Sequence, residues 1–154
     1  MSETALERVL ARCTEEVLEQ MFFVRALHEP QPETPVPDAW LVAEVAFEGD
    51  PSGCLALRVT QSAASSIAAD FLGEDESALS ERQVAEVICE LANIICGSVL
   101  STVESATTFR LASPRLVSQG ERCENQGAAV YSAILDHGAL SVAFCAERPI
   151  CPAT

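Results

Sequence analysis

In the stretch Glu86-Val87-Ile88-Cys89-Glu90-Leu91-Ala92-Asn93-Ile94-Ile95-Cys96-Gly97, the polar residues Glu90 and Asn93 stand three apart. On a helix that spacing sets a carboxylate and a carboxamide on one face, a turn apart. The carboxylate can accept a charge-assisted hydrogen bond from a cation, and the amide can both donate and accept without being protonated or attacked. Glu86 lies one turn before the pair and Gly97 one turn after it. A glycine inside a helix costs about 1 kcal/mol relative to alanine, so Gly97 suggests the close approach of another surface, from the same fold or from a partner. Glu-x-x-Asn is also common on helix faces that are merely solvated, and the spacing alone leaves both readings open.

Competing chemistries have less to build on. The nine basic residues are all Arg, which removes Schiff-base and phosphate-loop lysine chemistry. The Ser and Cys residues lack a nearby His to activate them, and no Gly-rich loop opens a helix after a strand. The seven cysteines contain no Cys-x-x-Cys pair, and His28 and His137 stand apart from any ligand cluster, so no metal is expected on this chain. Those cysteines are expected to act as small buried hydrophobes in a reducing compartment.

The pair needs a helix, and the sequence supplies a strong one. Ser80-x-x-Gln83 is a capping-box pattern, and Val84, Val87, Ile88, Leu91, Ile94, Ile95 and Val99 form an apolar stripe, which predicts a helix from Ser80 to about Glu104. Leu6, Val9, Leu10, Cys13, Val17 and Leu18 predict an amphipathic first helix of about five turns, with Ser2 near its start. Residues 28–38 hold four of the eight prolines and are expected to form a loop. Leu41, Ala43, Val45 and Phe47 alternate, turn through Asp50-Pro51-Ser52-Gly53, and return as Leu55, Leu57 and Val59, the pattern of a hairpin. Ser62 to Leu72 reads as a short Ala-rich helix stopped by Gly73, with Glu74-Asp75-Glu76 as a solvated turn.

Phe109 to Val117 reads as a strand interrupted by Pro114, and residues 121–127 as a loop. Val130, Ser132 and Ile134 pair by pattern with Leu140, Val142 and Phe144 across Asp136-His137-Gly138. The expected fold is α+β: a mainly antiparallel sheet built from two strand groups, with a long central helix and further helices packed on it. At 154 residues the chain is expected to be one domain over residues 1–154, with residues 147–154 as a tail. A 49% apolar composition with 5% aromatics implies a core of Ala, Val, Leu and Ile.

A net charge of -14 opposes attraction to nucleic acid or anionic lipid. The first twenty residues mix acid and base without a basic start and apolar run, and the uncharged stretch Leu91 to Val103 is short for a bilayer. A cytoplasmic location is the expectation, with neither nucleic acid nor membrane as partner.

The Glu86–Gly97 stretch, following a hairpin with Gly-Cys-Leu-Ala-Leu and an Ala-rich helix, resembles the CheX/CheC/FliY chemotaxis phosphatases. It is most similar to single-site CheX-like members. The likeness runs from about Val42 to Phe144 and includes Pro114, near a proline of the family signature. It implies an auxiliary phosphatase acting on the phosphoaspartate of a CheY-like response regulator in chemotaxis or related two-component signalling. Asn93 aligns with the catalytic Asn, which orients the attacking water, and Glu90 with the motif Glu, which docks on the regulator's active-site lysine. Glu86 and Gly97 would border the partner. Glu86 stands where the family usually has Asp or Ser, which bears on partner selectivity and favours the alternative, a non-catalytic adaptor binding a regulator or a flagellar or signalling component. The resemblance further implies Mg²⁺ on the regulator, with no cofactor on this chain, and a homodimer joined through sheet edges.

Overall fold

The computed structural model describes residues 5–22, 40–49, 51–102, 108–117, 129–135 and 138–147. The proline-rich segment 28–38, Ser2, Glu104, residues 121–127, Asp136, His137 and the tail from residue 148 lie outside them. The elements are α1 (Ala5–Met21), β1 (Trp40–Glu48), β2 (Gly53–Thr60), α2 (Gln61–Leu72), a short 3-10 turn (Glu76–Ala78), α3 (Glu81–Leu100), β3 (Arg110–Leu111), β4 (Arg115–Val117), β5 (Ala129–Leu135) and β6 (Gly138–Ala146).

The strands form one antiparallel sheet in the order β3-β1-β2-β6-β5, with β4 also on the outer edge of β1. The two hairpins anticipated from sequence therefore join through β2 and β6. The register aligns Val45, Leu55, Phe144 and Ala129 in one row and Ala43, Leu57, Val142 and Tyr131 in the next. Alternation then turns these side chains to one face, where all but Tyr131 are buried. The three helices cover that face: α3 packs on β1 and β2, α1 on β5 and α2 on β6, and both α1 and α2 pack on α3. Phe47 anchors one end of the core, stacked on Phe144 at 5.2 Å and meeting Phe109 edge-on at 5.7 Å.

Local chemistry explains where the helices start and stop. Gly73, at φ +68°, ends α2 in the left-handed conformation and donates its N–H back to Ala69. The Thr60 hydroxyl accepts from Ala63 N at 3.4 Å to cap α2, and from Ala139 N at 3.1 Å to fix the start of β6. Gly138, at φ +131°, lies so close to this knot that a Cβ there would fall on Thr60 Oγ1.

Thr14 is fully buried on α1, and its hydroxyl has no hydrogen-bond partner among the described residues. Burying an unsatisfied hydroxyl costs about 1–3 kcal/mol, whereas valine has the same shape and no polar group to desolvate. Thr14→Val is expected to raise the unfolding free energy by about 1 kcal/mol, measured as a higher urea midpoint with unchanged slope.

Two expectations change. Ile94 is only half-buried and flanks the core, while Ala92, Cys96 and Leu100 complete the buried stripe of α3. Cys54 is disulfide-bonded, unlike the free Cys13, Cys89 and Cys96. Spacing carries no information on connectivity when no motif pairs the cysteines, so this bond could not be read from the sequence.

Candidate functional site

The site is built on α3, whose start is fixed by a complete capping box. Ser80 Oγ accepts from Gln83 N at 3.1 Å, and Gln83 Oε1 accepts from Ser80 N at 2.9 Å. Val84, Val87, Ile88, Leu91, Ile95 and Val99 bury one side of the helix on the sheet, fixing its rotation. The opposite side carries Glu86, Glu90, Asn93 and Gly97 in a row, at steps of four, three and four residues. By length and a mean hydropathy of 1.5 this helix could cross a bilayer. The sheet and the two neighbouring helices account for its apolar side instead.

Glu90 is exposed and Asn93 half-buried. Among the described residues neither side chain has a hydrogen-bond or ion-pair partner, so both functional groups face outward uncommitted. Glu86 differs: its Oε1 accepts from Arg82 Nε at 3.1 Å in an exposed i,i+4 pair. A Cβ added at Gly97 would meet nothing within 4 Å. Packing within the described fold therefore does not demand glycine here, and of the two explanations open from sequence, internal approach loses its support.

Beside Glu90 a groove of about 510 Å³ separates α3 from β4. Glu86, Cys89 and Glu90 form its helix wall, and Pro114, Arg115 and Leu116 the other. A change of register builds that second wall. Leu111 pairs with Phe47 and Arg115 with Glu44, so the three residues 112–114 oppose only Val45 and Ala46, one residue too many for a regular ladder. Ala112 N still donates to Ala46 O at 2.8 Å, but Pro114 has no N–H to give. The bulge switches which residues face the helices. Leu116, opposite Ala43, lies on the helix side, and Arg115, opposite Glu44, on the other, with Nη2 3.7 Å from Glu44 Oε1.

Sequence reasoning singled out Glu86, Glu90, Asn93, Gly97 and Pro114, and the structure brings Pro114 to within the same groove as the first two. Arg82, Cys89, Arg115 and Leu116 were missed as neighbours of the site. Burial raises the Cys89 thiol above its ordinary pKa and pushes Cys96 up to about 12. Both are therefore protonated at neutral pH and poor nucleophiles, in keeping with their reading as hydrophobes.

The sequence profile described as chemotaxis phosphatase CheX matches residues 41–134, a span that includes β1 from its second residue, all of β2 and α3, and most of β5. The chain belongs to the CheX family. Solved CheX structures share its fold: that of the chemotaxis protein CheX from Vibrio vulnificus superimposes with a TM-score of 0.71 at 19% identity, covering 96% of this chain and 99% of that one. The chemotaxis protein CheX from Desulfovibrio desulfuricans gives 0.69 at 21% identity, covering 94% and 100%. A CheX–CheY–BeF3–Mg²⁺ complex from Borrelia burgdorferi gives 0.69 at 20% identity, covering 92% and 97%. A search of curated proteins found no match.

Proposed function

We propose that this CheX-family protein accelerates hydrolysis of the phosphoaspartate of a CheY-like response regulator in chemotaxis or related two-component signalling. What carries the reading is the pair Glu90 and Asn93, uncommitted and outward on a helix whose rotation the core fixes. Its support comes also from family membership and from the fold shared with a CheX captured in complex with CheY.

Hydrolysis of an aspartyl phosphate joins a water oxygen to phosphorus as the bond from phosphorus to the aspartate oxygen breaks. The products are a free carboxylate and inorganic phosphate, the latter carrying the protons of the water or passing them to solvent. Most of the barrier is lowered by placing the water in line and by balancing charge, so a protein without a nucleophile can contribute by position alone. The Asn93 amide accepts a hydrogen bond from the water through Oδ1 and can donate from Nδ2 to a phosphoryl oxygen. Glu90, one turn away, pairs with the regulator's active-site lysine and sets the depth of Asn93. Its part is recognition, not proton transfer. Mg²⁺ belongs to the regulator in this scheme, and this chain holds no cofactor of its own.

Phosphoregulator decay in Mg²⁺ buffer, with and without this protein, tests the reading. Faster decay is expected; binding without faster decay would instead establish a non-catalytic adaptor. Gly97 supplies a second check. With open space around its Cβ, Gly97→Ala is expected to stabilise the fold by about 1 kcal/mol in a urea titration through helix propensity. The same change narrows the partner's approach and is expected to raise the regulator concentration needed for half-saturation. A stabilised variant with unchanged half-saturation would remove Gly97 from the interface.

A further inference from the structure

We infer that the groove between α3 and β4 is a second recognition site for the phosphorylated regulator, taking an apolar side chain flanked by a carboxylate, with Leu116 and Arg82 setting partner specificity. This rests on the reading of Glu90 and Asn93 as the regulator-facing pair and extends its footprint along the helix. Three observations converge. Glu90 itself forms part of the groove wall, so a partner seated on the pair necessarily lies over the groove.

Cys89 and Pro114 contribute apolar surface to the two walls, and Leu116 is left 41% exposed on the helix side of the sheet by the bulge at Pro114. A leucine turned toward the helix layer but beyond its cover gains burial only when another surface arrives.

Charge supplies the third observation. Only nine cations serve a chain of net charge -14, and one of them, Arg82, rims this groove from the helix, while Arg115 borders it with its guanidinium turned to the other face of the sheet against Glu44. Arg82 is committed through a single nitrogen, Nε to Glu86, with its side chain 88% exposed. Its other guanidinium N–H groups have no partner among the described residues and can meet an acidic partner. Pairing also neutralises Glu86, so the groove does not repel such a partner despite the acidic chain around it. A phosphoaspartate site that holds Mg²⁺ must carry carboxylate ligands, so its surroundings have the charge that Arg82 complements. A second copy of this chain, itself strongly acidic, would have to bring its own surplus of carboxylates to Glu90.

The test measures dephosphorylation kinetics and, separately, affinity for the regulator loaded with beryllofluoride, a stable phosphoryl mimic. Leu116→Asp is expected to raise both half-saturation and Kd about tenfold, with turnover at saturating regulator changed far less. Leu116→Met is expected to restore them. Arg82→Ala is expected to raise Kd about threefold at low salt, with the difference fading at high salt. Thermal melts check folding, and should Leu116→Asp unfold, Leu116→Ser and Arg82→Ala are read in its place. Unchanged Kd in the folded groove variants, with wild-type activity intact, would overturn the groove and leave the pair standing. A wild type that binds but does not hydrolyse would overturn the phosphatase reading, while the groove is still judged on Kd. A wild type that neither binds nor hydrolyses would overturn both. Loss of self-association in Leu116→Asp with unaltered Kd would assign the groove to a second copy and overturn the proposal.

Discussion

Asn93→Ala is expected to bind the phosphorylated regulator about as well as wild type does and to lose about 100-fold in its acceleration of dephosphorylation. The asymmetry follows from what the amide touches. In the proposed scheme it meets a water and a phosphoryl oxygen whose placement matters only as the bond to phosphorus forms, so its removal affects the transition state far more than the encounter. Asn93 is half-buried with no hydrogen-bond partner among the described residues, and truncating it breaks no internal bond. A melting temperature close to wild type is therefore expected. Asn93→Asp is an instructive companion: it keeps the shape but replaces the donor with a second negative charge beside the phosphoryl group, and is expected to be as slow as alanine. Rates within twofold of wild type for either variant would remove Asn93 from the chemistry.

Glu90→Ala divides the effect the other way. Pairing with a lysine in a shielded contact is worth more than an exposed ion pair, and losing one partner leaves the other charge desolvated and alone. A rise of roughly 30-fold in the half-saturating regulator concentration is expected, corresponding to about 2 kcal/mol. Turnover at saturation is expected to change less, because Asn93 still reaches the phosphoryl group once the complex forms. Glu90 is exposed and its carboxylate engages no partner among the described residues, so the effect is on binding and not on stability. Isothermal titration against regulator with and without beryllofluoride reads it directly. An undiminished affinity would show that the carboxylate is only solvated, the bland alternative that spacing alone had left open.

The parts of this arrangement that sequence made legible are those set by local chemistry. The capping box Ser80–Gln83 and the apolar stripe of α3 fix where the helix begins and which way it turns, so the outward row Glu86, Glu90, Asn93, Gly97 followed from period alone. The turns and alternation of the two hairpins likewise placed the core rows of the sheet. The groove was illegible because it depends on pairing between distant segments. Nothing local says that residues 115–117 return to the edge of β1 opposite Val42 to Glu44. The interruption at Pro114 was visible, but its consequence was not: a single extra residue exchanges the faces of Leu116 and Arg115. Gly97 shows the converse limit, a residue whose cost was visible and whose reason required knowing that its surroundings are open.

The central claim is that an outward carboxamide on α3 supplies the missing water-positioning group to another protein's aspartyl phosphate. Phosphate release from a fully phosphorylated regulator, followed with a small substoichiometric amount of wild type and, in parallel, of Asn93→Ala, tests it most directly. Wild type is predicted to turn over repeatedly, releasing many phosphates per molecule, while Asn93→Ala leaves the regulator at its intrinsic decay rate. Equal release by the two proteins, or no release above intrinsic decay by wild type, would contradict it.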